Sequence, residues 1–239
     1  MGEMPLGIRS LLGPITDLKP EERVLIVTDT EKFQIGKELF DWASKANETS
    51  MAVMTPRTSH GDEPTAEIAA AMDTADVIFA ATSMSMFHSQ ARRRVVLNGH
   101  CRYVNLVDYI PSMFHEGGLT ADFLEITEIL NRIAPHFSGK KLELTSPGGT
   151  NLVCSVAGRG PVIDYGRSIR PGQSSSPPNA EIALGPVEGT AQGVLVIDGS
   201  IPHPSLNMIR EPITMQVEDG QIVMISGTDE AETLRRILE

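Results

Sequence analysis

The chain has few cysteines and fewer basic than acidic residues, and both shortages exclude classes of protein. Cys101 and Cys154 lie far apart, and no CxxC pair is present. This pattern excludes a disulfide framework and a cysteine zinc site, and it indicates reduced thiols. The 20 Lys and Arg residues stand against 31 Asp and Glu residues, which gives a net charge of -11. We therefore expect no nucleic-acid partner, because phosphate binding requires a positive surface.

Signals for export and for membrane insertion are missing from the sequence as well. The first residues lack the basic start and the apolar run of a signal peptide. No apolar stretch approaches the ~18 residues that predict a membrane span. We expect a cytoplasmic protein with no membrane partner.

Short apolar runs alternate with helical patterns over residues 1–139. The predicted strands are 24–27, 51–54, 77–80 and 103–107, and the predicted helices are 32–46, 64–75, 85–98 and 119–137. In the last of these helices Thr120 is the predicted N-cap. Strands separated by helices imply right-handed crossovers and a parallel sheet that is covered on both faces. The sequence therefore predicts a doubly wound α/β domain over residues 1–139.

Residues 140–227 are rich in Gly, Pro, Ser and β-branched side chains. The predicted strands are 141–145, 152–156, 181–184, 193–197, 213–218 and 221–225, followed by a helix over 229–238. Asp219-Gly220 predicts a tight hairpin between the last two strands. Residues 171–178, PGQSSSPP, form a turn-rich loop that neither a helix nor a central strand accommodates. We expect a second, smaller and mostly β (α+β) domain over 140–239.

Several catalytic motifs are absent: the Walker loop, GxGxxG, GxSxG and HExxH. The loop after the first strand, residues 28–32, has two acids and no glycine, which excludes a dinucleotide site there. Residues 146–150, SPGGT, favour a turn over an anion-binding loop.

Six histidines are scattered along the chain, and none pairs with another at a metal-ligand spacing. His88 is the most informative of them. It follows the third predicted strand, and ligands of open α/β sheets bind at the carboxyl ends of parallel strands. His88 is therefore a candidate catalytic residue.

Glu181 follows Pro177 and Pro178 and begins an otherwise apolar run. A carboxylate at the start of a buried strand is costly unless it is paired, protonated or bound to a cation. Glu181 is therefore a candidate metal ligand. The alternative is that it lies on a solvent face or pairs with Arg159 or Arg167.

Several segments, taken in order, resemble the aminopeptidase T-like (M29-type) superfamily, which includes metallopeptidases and 2,5-dihydroxypyridine 5,6-dioxygenase. The matching pieces are RVLIVTD at 23–29, EPTAEIAAAMDTADVIFAATS at 63–83, HSQARRR at 88–94, TSPGGTNL at 145–152, PPNAEIALGPVEGTAQGVLVIDGSI at 177–201 and EPITMQVEDGQIVMISGTDEAETLRRIL at 211–238. They extend over nearly the whole chain. Their order and spacing are specific for the superfamily but separate its activities poorly.

The resemblance implies that Glu181 is a divalent-metal ligand and that His88 lies close to the active cleft. The metal would be Zn, Mn or Co in a peptidase and Fe in a dioxygenase. The resemblance implies that the remaining ligands of the family lie beyond the position matched by Leu238, so we expect an incomplete metal site and a chain that can lack the metal. Local substitutes would be Glu188, Asp198 or His203. The resemblance also implies a homodimer and a small-molecule or short-peptide substrate.

Three functions are compatible with these residues. The favoured hypothesis is a metal-dependent hydrolase of the aminopeptidase T type, in which the metal polarises a carbonyl and activates water. The second is an Fe(II)-dependent dioxygenase that cleaves a 2,5-dihydroxypyridine-type ring. The third is a catalytically inactive short homologue or binding module.

Overall fold

The computed structural model describes residues 2–203 and 205–239. Its α-helices are α1 (Leu6–Ser10), α2 (Phe33–Ala43), α3 (Ala66–Met72), α4 (Gln90–Leu97), α5 (Phe123–Ile133) and α6 (Asp229–Leu238). Its strands are β1 (Val24–Asp29), β2 (Thr49–Met54), β3 (Val77–Ala81), β4 (Arg102–Asn105), β5 (Lys141–Thr145), β6 (Asn151–Ser155), β7 (Val162–Asp164), β8 (Ser174–Ser175), β9 (Glu181–Ala183), β10 (Gln192–Ile197), β11 (Ser200–Ile201), β12 (Asn207–Met208), β13 (Ile213–Glu218) and β14 (Gln221–Ser226).

The chain divides into two units, each formed by two separate stretches. The first unit comprises Met1–Arg132 and Ile163–Glu181, and the second comprises Ile133–Val162 and Ile182–Glu239. The boundary predicted after residue 139 therefore differs from the structure, because a later segment returns to the first unit. Local sequence patterns cannot show such a return, since it depends on contacts between distant residues.

The first unit is built on a parallel sheet with the strand order β2-β1-β3-β4-β8. Successive residues of β1 alternate between two apolar cores. Val24 and Ile26 pack with α1 and α2, whereas Leu25 and Val27 pack with α3 and α4. Both faces of the sheet are thus covered, which confirms the predicted doubly wound α/β architecture.

Strand β8 lies inside the segment predicted to be a turn-rich loop. The Tyr103 N–H donates to the Gln173 carbonyl at 3.0 Å, and β8 extends the sheet at its edge beside β4. Pro171 and Pro178 flank the strand, so it can be only short.

The second unit contains a five-stranded antiparallel sheet with the order β14-β13-β10-β6-β5. Helix α6 packs on it through Ala231 and Leu234, which join Ile213 and Met215 in one apolar core. Asp219 and Gly220, both with positive φ, form the β13–β14 turn as predicted. The predicted mostly β character of this part of the chain is confirmed.

Two predicted helix starts are corrected by the capping residues that the structure shows. Helix α5 begins after Asp122, whose Oδ1 accepts from the Leu124 and Glu125 N–H groups, so Thr120 is not its cap. Helix α4 begins after Ser89, whose hydroxyl accepts from the Arg92 N–H at 3.2 Å. Within the described residues, no helix is long and apolar enough to cross a membrane.

Gly193 in β10 allows a close approach to the neighbouring strand β6. Its φ is +124°, and a Cβ added there would overlap the Asn151 carbonyl oxygen of β6. We expect Gly193→Ala to lower the free energy of unfolding by about 2 kcal/mol or more, because it adds backbone strain to a steric clash. Urea denaturation measures the change.

Gly199 provides the matched control. It has no heavy atom within 4 Å of an added Cβ and no left-handed φ. Gly199→Ala should therefore change the stability by less than about 0.5 kcal/mol. Equal changes in the free energy of unfolding for the two substitutions would contradict the close approach of β6 to Gly193.

Candidate active site

Five segments of the first unit follow the carboxyl ends of its parallel strands, and we call them together the carboxyl edge. They comprise residues 29–32, 55–63, 82–89, 105–109 and 176–181. Strand β1 lies between β2 and β3, so the strand order reverses at β1. Open α/β sheets bind their ligands at such a switch point, outside the carboxyl ends of the strands. The carboxyl edge is therefore the place in this unit where a ligand is expected.

Asp29 organises the switch point. It ends β1, its side chain is fully buried, and its Oδ1 accepts from the Glu31 and Lys32 N–H groups at 3.1 and 2.9 Å. Its Oδ2 accepts from the Ser83 N–H and hydroxyl at 2.6 and 2.7 Å. The carboxylate thus fastens the segment after β3 to the segment after β1. It also takes up the N–H groups near the start of α2, where an external phosphate would bind.

A chain of neutral polar side chains continues from β3 to β8. The Ser85 hydroxyl donates to Asn105 Oδ1, and Asn105 Nδ2 donates to the Ser176 hydroxyl, both at 3.3 Å. Asn105 ends β4, so one amide connects the segments after three strands. These hydroxyl and amide groups can donate or accept hydrogen bonds, as recognition of a small polar ligand requires.

Tyr109 and Lys32 fix the segments around this chain of polar groups. The Tyr109 hydroxyl donates to the Pro177 carbonyl at 2.6 Å. Burial raises the pKa of Tyr109, so its proton stays available for that bond at neutral pH. Lys32 Nζ contacts Asp108 Oδ1 at 2.5 Å and the Tyr109 carbonyl at 3.3 Å. These contacts therefore connect the backbone after β1, β4 and β8.

The segment after β2 crosses over to the segment after β3. The Ser85 N–H donates to His60 Nδ1 at 3.0 Å, and the Gly61 N–H donates to the Ser85 carbonyl at 2.7 Å. The Glu63 carboxylate accepts from the Gln90 and Ala91 N–H groups at 2.5 and 3.0 Å, at the start of α4. Two segments that are distant in sequence are thus bonded side by side.

The structure places His88 at this crossing. His88 is exposed and lies in the loop before α4, whereas the sequence predicted that it lies on the helix. A Cβ added to Gly61 would lie 3.7 Å from the His88 Cβ. The His88 ring packs edge-on against Phe87, with 5.5 Å between the ring centroids. His88 therefore lies at the carboxyl edge, as the sequence predicted, but on a loop.

Glu181 has a different environment from the one that the sequence predicted. It is exposed at the start of β9, so burial does not require a cation beside it. Its two predicted partners are engaged elsewhere: Arg159 pairs with Glu188, and Arg167 donates to the Pro14 carbonyl and the Thr127 hydroxyl. The solvent-exposed alternative for Glu181 is thus the one observed.

The residues that the structure describes contain no group of three or more His, Cys, Asp and Glu side chains able to hold a metal ion. Glu188 is paired with Arg159, and His203 Nδ1 accepts from the Ser205 N–H at 3.2 Å. A catalytic Zn2+ or Fe2+ requires about three protein ligands. The described residues therefore do not form a complete catalytic metal site by themselves, and the predicted substitutes Glu188, Asp198 and His203 do not come together to complete one.

Sequence reasoning missed Asp29, His60, Asn105 and Ser176 as members of the carboxyl edge. Asp29 and Asn105 each end a parallel strand, which is the one signal that identifies such positions in advance. His60 and Ser176 had no local signal, because their partners Ser85 and Asn105 lie far away in the sequence.

Two comparisons of the sequence with known proteins find 2,5-dihydroxypyridine 5,6-dioxygenases. A family model described as 2,5-dihydroxypyridine 5,6-dioxygenase matches residues 14–239. A 2,5-dihydroxypyridine 5,6-dioxygenase of Pseudomonas putida is 35% identical over 97 residues, which cover 40% of this chain and 28% of that protein. The aligned segment thus spans less than a third of the relative.

Two solved structures share the fold. The structure of 2,5-dihydroxypyridine dioxygenase from Pseudomonas putida KT2440 has a TM-score of 0.74 at 20% identity, covering 98% of this chain and 70% of that one. Wild-type AmpT from Thermus thermophilus has a TM-score of 0.63 at 15% identity, covering 98% of this chain and 74% of that one. At these identities, the two structures establish the fold alone.

Replacing the buried Asp29 carboxylate tests its role at the switch point. Asn has nearly the same shape, but its amide group is a donor that would face N–H and O–H donors. We expect Asp29→Asn to lower the free energy of unfolding by about 2–3 kcal/mol, because charged hydrogen bonds are lost and buried donors are left unpaired. Chemical denaturation measures the change.

Asp108→Asn is the control for the loss of one carboxylate. The Asp108 side chain is 77% exposed and forms an ion pair with Lys32. Its loss should cost less than about 1 kcal/mol, because water screens such a pair. If Asp29→Asn lowered the free energy of unfolding no more than Asp108→Asn does, the buried carboxylate would not organise the carboxyl edge.

Proposed function

Because the chain belongs to the family described as 2,5-dihydroxypyridine 5,6-dioxygenase, we propose that it binds a dihydroxylated pyridine and takes part in the cleavage of its ring by O2. The family match over residues 14–239 is the observation that carries this proposal. The carboxyl edge of the first unit supplies the binding groups.

This membership corrects the expectation of an aminopeptidase-type hydrolase. That expectation came from a superfamily resemblance that separates its activities poorly, and the family match now favours the dioxygenase branch. Hydrolase, aminopeptidase and metalloprotease are therefore the wrong descriptions of the activity, and the alternative of a ring-cleaving dioxygenase replaces them.

The chemistry of the carboxyl edge supports a small hydroxylated heteroaromatic ligand. Several of its side chains can donate or accept hydrogen bonds, as ring hydroxyls and a ring nitrogen require: Ser85, Asn105, Ser176, His60 and His88. We assign to His88 the exchange of a proton with a ring hydroxyl, because it lies at the carboxyl edge and an imidazole can act as a general acid or base.

The metal requirement is a separate part of the proposal. Cleavage of a dihydroxypyridine by O2 points to Fe2+ as the cofactor, and Glu181 is the one carboxylate that we assign to it. One carboxylate supplies one of about three ligands, and the described residues form no complete set around it. We therefore derive no step of the reaction through a metal.

Ligand binding and O2 consumption test the proposed function in two stages on protein expressed from its own gene. Anaerobic calorimetry with 2,5-dihydroxypyridine should show saturable binding, whereas leucine amide should show none. Addition of Fe2+ and air should then consume one O2 per pyridine ring. Absence of saturable binding would overturn the proposal, and binding without O2 uptake would overturn its dioxygenase step alone.

A histidine substitution tests the role assigned to His88. Loss of a general acid–base group typically lowers the rate about 10²–10⁴-fold, so we expect His88→Ala to lower kcat for O2 uptake by that factor. His100→Ala is the control, because His100 precedes β4 and thus lies at the opposite, amino edge of the sheet. Equal kcat values for the two variants would exclude His88 from proton exchange.

A further inference from the structure

We propose that His60 is a second ligand-contacting histidine at the carboxyl edge, where its Nε2–H donates to an oxygen of the bound hydroxylated ring. This inference rests on the proposed function and deepens it, because it names a group that recognises the substrate. It is carried by the position of His60, by its tautomer and by the free side of its ring.

The position of His60 follows from the crossing of two loops. It belongs to the segment after β2, an edge strand, and this segment reaches past β1 to the segment after β3. The neighbouring Gly61 N–H donates to the Ser85 carbonyl at 2.7 Å, so backbone and side chain fix the crossing together. His60 is thereby placed at the switch point although its own strand lies at the edge of the sheet.

The tautomer of His60 follows from its bond to Ser85. Nδ1 accepts the Ser85 N–H at 3.0 Å, and a ring nitrogen can accept only when it carries no proton. A neutral imidazole then holds its proton on Nε2, which makes that nitrogen a donor. The Ser85 amide therefore sets which side of the ring can donate.

The donor side of the ring is accessible. His60 is exposed, and among the hydrogen bonds of residues 2–203 and 205–239 none uses His60 Nε2. His88 comes close to the residue after His60, since its Cβ is 3.7 Å from the position of a Cβ added to Gly61. The imidazole of His60 itself contacts Ser85, where the chain of polar groups begins.

The chemistry fits a hydroxylated heteroaromatic ring. Each ring oxygen has lone pairs that accept a hydrogen bond, and a neutral Nε2–H can donate without placing a charge beside the ring. The two histidines therefore have different roles. His60 has the position of its proton set by the Ser85 N–H and recognises an oxygen, whereas His88 carries the proton exchange assigned to it above.

Three substitutions separate ligand contact from loop positioning. In His60→Asn, the side-chain oxygen takes the place of Nδ1 and keeps the acceptor for the Ser85 N–H, but the donor at Nε2 is gone. His60→Gln places an amide N–H near the position of Nε2. His60→Ala removes both groups, and His100→Asn is the matched control at the amino edge.

Anaerobic calorimetry with 2,5-dihydroxypyridine should give a Kd about 3- to 10-fold higher for His60→Asn than for the wild type, as the loss of one neutral hydrogen bond predicts. His60→Gln should recover part of this loss, and His100→Asn should bind like the wild type. The Ser85 amide should keep its wild-type protection from hydrogen exchange in His60→Asn, which shows that its hydrogen bond and the contact between the two loops persist.

Nitrogen-15 NMR of labelled histidine measures the tautomer directly and should place the His60 proton on Nε2. A proton on Nδ1 would overturn the inference. Equal Kd values for the wild type and His60→Asn would also overturn it, while leaving the proposed function intact. A wild-type protein that does not bind the pyridine would overturn the proposed function, and this ligand assignment with it.

Discussion

The buried carboxylate of Asp29 is the constraint on which the carboxyl edge depends. An ionised group without solvent must be surrounded by donors, and Asp29 obtains four of them from the segments after β1 and β3. Ser83 provides two of these donors. The start of the loop that carries Ser85 and His88 is therefore bonded to Asp29. The bonds of Ser85 to His60 and Asn105 extend this order to the segments after β2 and β4.

Much of the fold could be predicted from the sequence, because its signals are local. The buried run Val24–Asp29 and the alternation of strands and helices in the first unit are readable as patterns, and so is the Asp219-Gly220 turn. The return of residues 163–181 to the first unit was not predictable, since it depends on contacts such as that of Tyr103 with Gln173. The two units of the structure differ from the predicted boundary after residue 139 for this reason.

The candidate site shows the same division between local and distant signals. The place of His88 at the carboxyl edge follows from strand order, so the sequence could indicate it. The burial argument for Glu181 failed because an apolar neighbourhood in sequence does not fix which way a side chain faces at the end of a strand. The polar chain of Ser85, Asn105 and Ser176 joins residues that are distant in sequence, so no local pattern could show it.

The return of β8 to the first sheet also orders the events of protein synthesis. A chain that emerges from the ribosome from its N-terminus can assemble β1 to β4 early, but the edge beside β4 stays open until Ser175 has left the exit tunnel. Until then Asn105 has no Ser176 to bond, and Tyr109 has no Pro177 carbonyl. Residues 133–162, which belong to the second unit, are synthesised in that interval, before the carboxyl edge can be completed.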